Sequence, residues 1–594
     1  MADDAADRAA LDRAEAVHRE ALAARPDDLE ALNNLAIVLG RQGRAEDAIA
    51  AYRAAIAAHP RALEPRLNLA VALTRGGRLH DALATYDAVL VGWPDHAVAH
   101  FYRANLLAGL EQPEAARVGY DHALALAPDH ADAYCNRALV LVRLGDLAAA
   151  ERDLMAALTR NPQLVAAWQR LVALFQHAGR HADAAAALQR LCALQPHDAL
   201  PRCRLAQSLV ASGDPDTALA VFEQAIALGP APLPEALRGL ASLQLERGNV
   251  AEARHNYARA AAAEPVIPWH AASGTPHARV LALVAPGLHN TPVEHLVGAS
   301  AHQAGMVLVV PGLHYDAAAL AQRGDVVLNL ISDADVGAAA LDDAAALADA
   351  ISLPTINHPA RIRRTDRAAI AGRLADLPGC RVPETVRFAR GALPGTTVPS
   401  EAQPWLVRPA GDHGGERLEC VETPAALAQF VAATAGDAFY LTRFVDYRSA
   451  DGHYRKYRFI FLGDDVLPYH LAIGDHWKVH YFRTPMDQHD WMRREEAAFL
   501  ADHTQALDAR QCASLAAIRD AIDLEFFGLD CGIATDGALV VFEANASMLV
   551  HATDSPTVFP YKQTSFQRIR DAFDRLIEAR AGGRVTSASP PSAP

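Results

Sequence analysis

Proline recurs at Pro26, Pro60, Pro94, Pro128, Pro162, Pro196 and Pro230, always 34 residues apart, and Pro265 follows after 35. A fixed period of this length describes equal units laid end to end, not one core assembled from distant segments. Other positions keep step with it. Small residues stand at Ala36, Ala70, Ala104, Ala138 and Ala206, and again at Ala48, Ala82, Ala116, Ala150, Ala184 and Ala218. Four residues after the second series comes an aromatic or large apolar side chain: Tyr52, Tyr86, Tyr120, Leu154, Leu188 and Phe222. Glycine falls between the two series at Gly43, Gly77, Gly145, Gly179 and Gly213, whereas Glu111 stands at the corresponding place in the third unit. Each unit therefore reads as two helices. Alanine sits where their backbones approach, the larger side chain fills the space beside it, glycine ends the first helix and proline cannot continue the second. One such unit cannot bury its apolar face alone, so the units must stack.

This pattern resembles the tetratricopeptide repeat (TPR). The resemblance implies an all-α superhelix of seven repeats over 29–267, behind a capping helix within 1–28 that runs from about 7 to 25. It also implies a peptide or protein held by the array. Asn34, Asn68 and Asn136 share one repeat position. They would either hydrogen-bond an extended peptide backbone or tie one repeat to the next. The half contains no lysine, so a lysine clamp for a C-terminal carboxylate has no residues to be built from.

At 594 residues the chain is too long for a single core. Its 51% hydrophobic and 21% charged residues describe globular domains, and a net charge of -15 argues against a coat for nucleic acid or an anionic membrane. The seven scattered cysteines include no CxxC pair and suggest free thiols in a reducing compartment. The acidic start, MADDAADRAALDRAE, lacks an apolar signal core, and no run of about 18 apolar residues offers a membrane span. A cytoplasmic protein is expected.

Residues 264–277, EPVIPWHAASGTPH, break the helical period, and a linker is expected at 268–277. Beyond it short apolar runs at 279–285, 306–311 and 325–330 alternate with helical stretches, the pattern of a small α/β unit over 278–356. A mixed α+β region follows over 357–580. The tail 581–594 is rich in Pro, Ser and Gly and reads as disordered.

The strongest local chemical feature is GLDCGIATDGALVVFEANASM, 528–548. Asp536-Gly537 between two apolar runs signals a β-hairpin. With those two residues as its loop, Asp530 faces Glu543, and Asn545 shares the face of Glu543. Two carboxylates and an amide oxygen on one face suit a hard cation such as Mg²⁺.

This hairpin is similar to the metal-binding element of the ATP-grasp superfamily, in which an aspartate precedes an E-x-N motif. Four further segments, which with the hairpin make five in the family's order over about 190 residues, extend the resemblance through the C-terminal half. NHPARIRRTDR (357–367) looks like the segment whose lysine meets the α-phosphate, here Arg367. WLVRPAGDHGG (405–415) looks like the strand and glycine-rich loop that close over ATP, with Arg408 in place of a second lysine and Gly411, His413, Gly414 and Gly415 in the loop. YLTRFVD (440–446) looks like the adenine hinge, where Thr442 and Val445 would contact the base and Asp446 the ribose. RFIFLG (458–463) resembles the RimK-type strand whose leading arginine faces the reacting phosphate. The resemblance implies a small pre-ATP-grasp subdomain followed by an ATP-grasp domain, with ATP and Mg²⁺ (or Mn²⁺) as cofactors. Asp530, Glu543 and Asn545 would be metal ligands, and Arg458, Lys456 and Lys478 candidate catalytic cations. The activity implied is a carboxylate–amine or carboxylate–thiol ligase using a small-molecule or peptide carboxylate. An interaction scaffold with a degenerate nucleotide domain and a phosphotransferase are the alternatives. Lysine occurs only at Lys456, Lys478 and Lys562, so arginine at 367 and 408 also fits a chain-wide preference. Gly528 departs from family members that carry an arginine two residues before the metal aspartate.

Overall fold

The structure is a computed structural model that describes residues 2–582, apart from 230, 232, 273, 288–289, 299, 393–403, 413–414, 416, 547, 549 and 552–553. The expected disordered tail lies outside the described residues from 583 onward, as do His413 and Gly414 of the glycine-rich loop. The chain divides into two compact units, 1–239 and 240–594. Among the described residues no helix is long and apolar enough to cross a membrane, and the seven cysteines are free.

In the N-terminal part, helix Ala2–Ala24 precedes helix pairs that repeat the sequence period. They are Leu29–Arg41 with Ala45–Ala58, Glu64–Arg75 with Leu79–Gly92, Ala97–Gly109 with Pro113–Leu126, Ala131–Arg143 with Leu147–Arg160, Val165–His177 with His181–Leu194, and Ala199–Ala211 with Pro215–Ala227. Both alanine series are fully buried, and the larger residues that follow, Tyr52 to Phe222, fill the core between the helices. Backbone proximity is tightest where Gly119 meets Ala104: a Cβ on Gly119 would come within 2.9 Å of the Ala104 Cβ. The turn glycines are left-handed, with φ between 68° and 87°, and Glu111 takes the same conformation at φ 57°. Asn68 donates to Asn33 (3.1 Å) and Asn136 to Asn105 (3.0 Å), so both side chains tie neighbouring repeats together.

A further pair, Pro234–Glu246 and Val250–Ala263, completes the periodic series, with the boundary between the units inside its first helix. Ala241, Ala253 and Tyr257 form an apolar cluster with Val310. This is the physical reason the compact division precedes the expected linker. The linker itself is partly ordered: Ile267–His270 is strand β1, antiparallel to Gln303–Leu308.

The other strands of the first sheet are β2 (Arg279–Val284), β3 (Gln303–Leu308), β4 (Val326–Asn329) and β5 (Thr355–Ile356). Their order is β1-β3-β2-β4-β5, parallel except at β1. Along β2, Leu281 and Leu283 enter one core while Val280, Ala282 and Val284 enter another, so both faces are covered. That is why the run shows no polar alternation. Later in the chain come β6 (Cys380–Arg381), β7 (Thr385–Ala389), β8 (Trp405–Pro409), β9 (Glu419–Val421), β10 (Ala438–Arg443), β11 (Tyr454–Leu462), β12 (Asp465–Gly474), β13 (Phe526–Ile533) and β14 (Leu539–Asn545). They form an antiparallel sheet β7-β10-β8-β9 and a larger sheet β12-β11-β13-β14-β6. In the smaller sheet Trp405, Val407, Phe439 and Leu441 pack under helix Pro424–Ala433, leaving Leu406, Arg408, Tyr440 and Thr442 on the opposite face. In the larger, one face of β11 sends Phe459 and Phe461 into the core beneath helices Asp490–Ala501 and Ala509–Ile522. Its other face sends Ile460 and Leu462 toward helix Lys562–Ala581.

Candidate functional site

Strand β11 changes character halfway along. Its second half is apolar, but its first half, Tyr454-Arg455-Lys456-Tyr457-Arg458, places Lys456 and Arg458 on one face. Arg458 pairs in register with His470 on β12 and with Asp530 on β13, and Asp530 pairs with Glu543 on β14. Four strands thus carry one row: His470, Arg458, Asp530, Glu543.

The expected pairing of Asp530 with Glu543 is present, but the loop is not the expected one. Ala534 pairs with Ala538, so the turn holds three residues, with Gly537 left-handed at φ 82°. From Ile533 to Cys531 the register is one residue short of the two-residue prediction, and a bulge at Phe542 restores it at Asp530. A three-residue turn with glycine in its left-handed position is a normal hairpin solution, and the bulge absorbs the difference.

The carboxylates are already engaged. Asp530, 2% exposed, takes Arg458 at 2.5 and 2.8 Å and Lys456 at 2.9 Å. Burial opposes its ionisation, yet Arg458 and Lys456 outweigh that and hold it well below the usual carboxylate range. Glu543 accepts from Arg367 at 2.5 Å and from the Asn545 amide. Arg367 is the first residue of helix Arg367–Leu374, whose N-cap, Asp366, accepts the Ala368 and Ala369 N–H groups. Arg408, on β8, is 8% exposed and donates to the Asp412 carbonyl; burial and then Arg367 push its pKa down to about 10. Burial, with Arg458 nearby, holds His470 well below the ordinary imidazole range. Among the described residues no three His, Cys, Asp or Glu side chains already converge as a metal cluster.

Between the two C-terminal sheets, β7-β10-β8-β9 and β12-β11-β13-β14-β6, lies a cavity of about 280 Å³. Arg367, Arg408, Lys456, Arg458, Asp530 and Glu543 line one part of it. Lys478 also lines it and donates to the Leu418 carbonyl at 2.8 Å. Leu406, Phe444, Val445, Trp477, Val540 and Phe542 supply an apolar part. Of the other expected site residues, Thr442, Val445 and Gly415 line this cavity, whereas Gly411 and Asn545 line a smaller neighbour. Asp446 lines neither; it is exposed and accepts from the Arg448 N–H.

Sequence reasoning missed most of the apolar wall. Leu406 was findable, since it alternates with Arg408 on one strand. Trp477, His480 and Arg483 come from the irregular stretch after β12, which has no period to read. Gly528 has a spatial explanation: it faces Asn545 across the hairpin, and a Cβ there would overlap the Met548 side chain.

Comparison with known proteins bears on the helical part. The family model for the tetratricopeptide repeat matches residues 1–62, 34–97, 67–131, 103–164, 135–199 and 203–265. The N-terminal array is thus built of tetratricopeptide repeats, followed by a sheet-containing C-terminal region. Among solved structures, a tetratricopeptide repeat protein from Parabacteroides merdae is 22% identical, covering 39% of this chain and 92% of its own, with a TM-score of 0.30. The C-terminal part of a TPR repeat-containing protein from Cytophaga hutchinsonii is 16% identical over 39% of this chain and 94% of its own, with a TM-score of 0.35. Yeast Tom70 is 17% identical over 43% of this chain and 55% of its own, with a TM-score of 0.29. No curated protein matches the chain.

Proposed function

We propose that the C-terminal region is an ATP-dependent ligase of the ATP-grasp type, activating a carboxylate for attack by an amine or thiol, and that the repeat array holds its peptide or protein substrate. The observation that carries this reading is the cavity between the two C-terminal sheets. It has an apolar part that includes the rings of Phe444, Trp477 and Phe542, and a second part where arginine and lysine outnumber the two carboxylates. Such a lining suits a polyanion bearing an aromatic group.

Arg367, Arg408 and Arg458 would bind and orient the phosphates. Guanidinium grips phosphate oxygens bidentately, so arginine at 367 and 408 keeps the charge that lysine would supply, with a different geometry. Asp530, Glu543 and Asn545 offer oxygen donors on one face of adjacent strands, fitting Mg²⁺ once Arg458, Lys456 and Arg367 swing toward phosphate. The ion would neutralise charge on the triphosphate. Lys456, beside Asp530, is suited to hold the acyl carboxylate, and the 411–415 loop to exclude water from an acyl phosphate. In the array, exposed Ile37 and Leu139 share one repeat position, as do Val98 with Leu200 and Val142 with Val210, all on first helices of their pairs. This recurrence supports apolar contacts to a bound chain.

Calorimetric titration of Mg·ATP tests the reading. One site per chain is expected, weakened at least about tenfold, or 1.4 kcal/mol, in Glu543→Ala. Absence of binding by the folded wild type would leave the scaffold reading, which the paired state of both carboxylates favours. Product analysis separates ligase from phosphotransferase: amide or thioester plus phosphate against a phosphorylated product.

A further inference from the structure

Away from the cavity, the first helices of the repeat pairs present one continuous face. Leu29–Arg41 packs on Glu64–Arg75, and Ala131–Arg143 packs on both Ala97–Gly109 and Val165–His177. Residues i, i+7 and i+11 share one stripe of a helix. On three of these helices that stripe reads acid, apolar, arginine: Glu30, Ile37, Arg41, then Glu64, Val71, Arg75, then Asp132, Leu139, Arg143. The acids and arginines are exposed, as are Ile37 and Leu139. The face thus has an arginine edge, an apolar middle and an acidic edge.

The helix dipole accounts for the acids but not for the arginines. It favours carboxylates in a first turn and cations in a last turn. Second helices follow the first half of that rule, with Glu46, Asp47, Asp81, Glu114 and Asp183 in their first turns. They do not follow the other half: among the described second helices only Leu147–Arg160 carries a basic residue in its last turn. That residue, Arg160, donates to the Pro128 carbonyl and lies 3.6 Å from Asp129. At the starts of second helices Arg44, Arg78 and Arg180 are each paired with an aspartate. Arg41 and Arg75, in contrast, make no hydrogen bond or ion pair among the described residues, and Arg143 donates to the Ala108 carbonyl at 2.9 Å. Eleven residues of helix, about 16 Å, separate each of these arginines from the acid on its own stripe. That is about twice the screening length of physiological salt, so the arginine edge is positive on its own account.

We propose that Arg41, Arg75 and Arg143 take the side-chain carboxylates of an acidic peptide segment, whose apolar side chains rest on Ile37, Val71 and Leu139. This rests on the reading that the array holds the substrate chain. Guanidinium grips a carboxylate bidentately, which fixes position as well as charge. On a chain of net charge -15 most of the surface repels an acidic ligand, and the arginine edge is the exception on this face. Glu30, Glu64 and Asp132 repel the same segment laid the other way across the face, so attraction and repulsion together set how it lies.

The test pans a random-peptide display library against the immobilised full-length protein. Recovered peptides should be enriched in Asp and Glu beside Leu, Ile or Val. Synthetic copies, acetylated and amidated so that only side-chain carboxylates remain, are then titrated by fluorescence anisotropy. Arg41→Glu with Arg75→Glu should weaken binding tenfold or more, and so should replacing the peptides' Asp and Glu by Asn and Gln. Arg53→Glu with Arg190→Glu makes the same charge change at exposed positions of second helices and should leave affinity within twofold. All four arginines are exposed, and circular dichroism checks that each variant folds. Equal weakening by the two double variants overturns the proposal. Recovery of peptides with no acidic enrichment, bound less well by Leu139→Asp, also overturns it but leaves the array's hold on a substrate chain standing. Recovery of no peptide overturns both.

Discussion

At Gly528 a missing side chain is what the hairpin needs. The position lies on the face that carries Asp530 and Asn545, but the space a Cβ would take belongs to Met548. Gly528→Ala should therefore destabilise the C-terminal unit by about 1–3 kcal/mol through overpacking. Adding Met548→Ala should recover part of that loss, a non-additivity readable by urea denaturation. Sequence alone marked Gly528 as a departure from a family pattern without a reason for it. The reason is a contact between residues twenty apart, which spacing does not reveal. The ion pairs of Asp530 were partly legible: Lys456 and Arg458 alternate on one strand, but their common partner depended on the pairing of β11 with β13.

At the scale of the element, turns carry the clearest local rule. Six inner turns of the array use glycine in the left-handed region, Gly248 of the last pair included, and the third uses Glu111 at φ 57°. A residue with a Cβ is strained there, whereas glycine loses more entropy on folding. The two effects nearly offset, and Glu111→Gly should stabilise the array by up to about 1 kcal/mol, measured by thermal unfolding. The hairpin of β13 and β14 teaches the opposite lesson. Its Asp-Gly signal located the turn, but turn length and bulge together set the register, and two departures cancelled at Asp530. Chain order could not foresee the bulge, because Phe542 is placed by packing against Tyr447, with ring centroids 4.6 Å apart.

For the molecule as a whole, buried histidines set the response to acid. His302, His470, His480, His503 and His551, all in the C-terminal unit, are held below the ordinary imidazole value, each chiefly by burial. In the unfolded chain they take up protons near pH 6.5, so below that value unfolding is coupled to proton binding. Their contribution to stability is intact above about pH 6.5 and is lost as pH falls toward their folded values. Glu496, pushed up to about 8 by burial, would oppose this trend. Lys562, 3.3 Å from it, is pushed down to about 7 by burial, so between pH 7 and 5 the folded pair holds up to about one proton more than the unfolded pair and offsets about one of the five histidines. The urea midpoint of the C-terminal unit should therefore drop between pH 7 and 5. His470, 5% exposed, contributes a slope of at most about 1.4 kcal/mol per pH unit, and His470→Asn should flatten the profile.

The sequence by itself determined the repeat array, because period, small residues and turn glycines are local requirements of each helix pair and recur in every copy. It also marked three of the five strands of the first sheet, because runs buried on both faces are continuously apolar. Tertiary structure alone decided which cation meets which carboxylate, where the apolar wall of the cavity stands, and that the expected linker contributes a strand. These depend on register between strands and on packing between segments far apart in the chain, and neither leaves a period in the sequence.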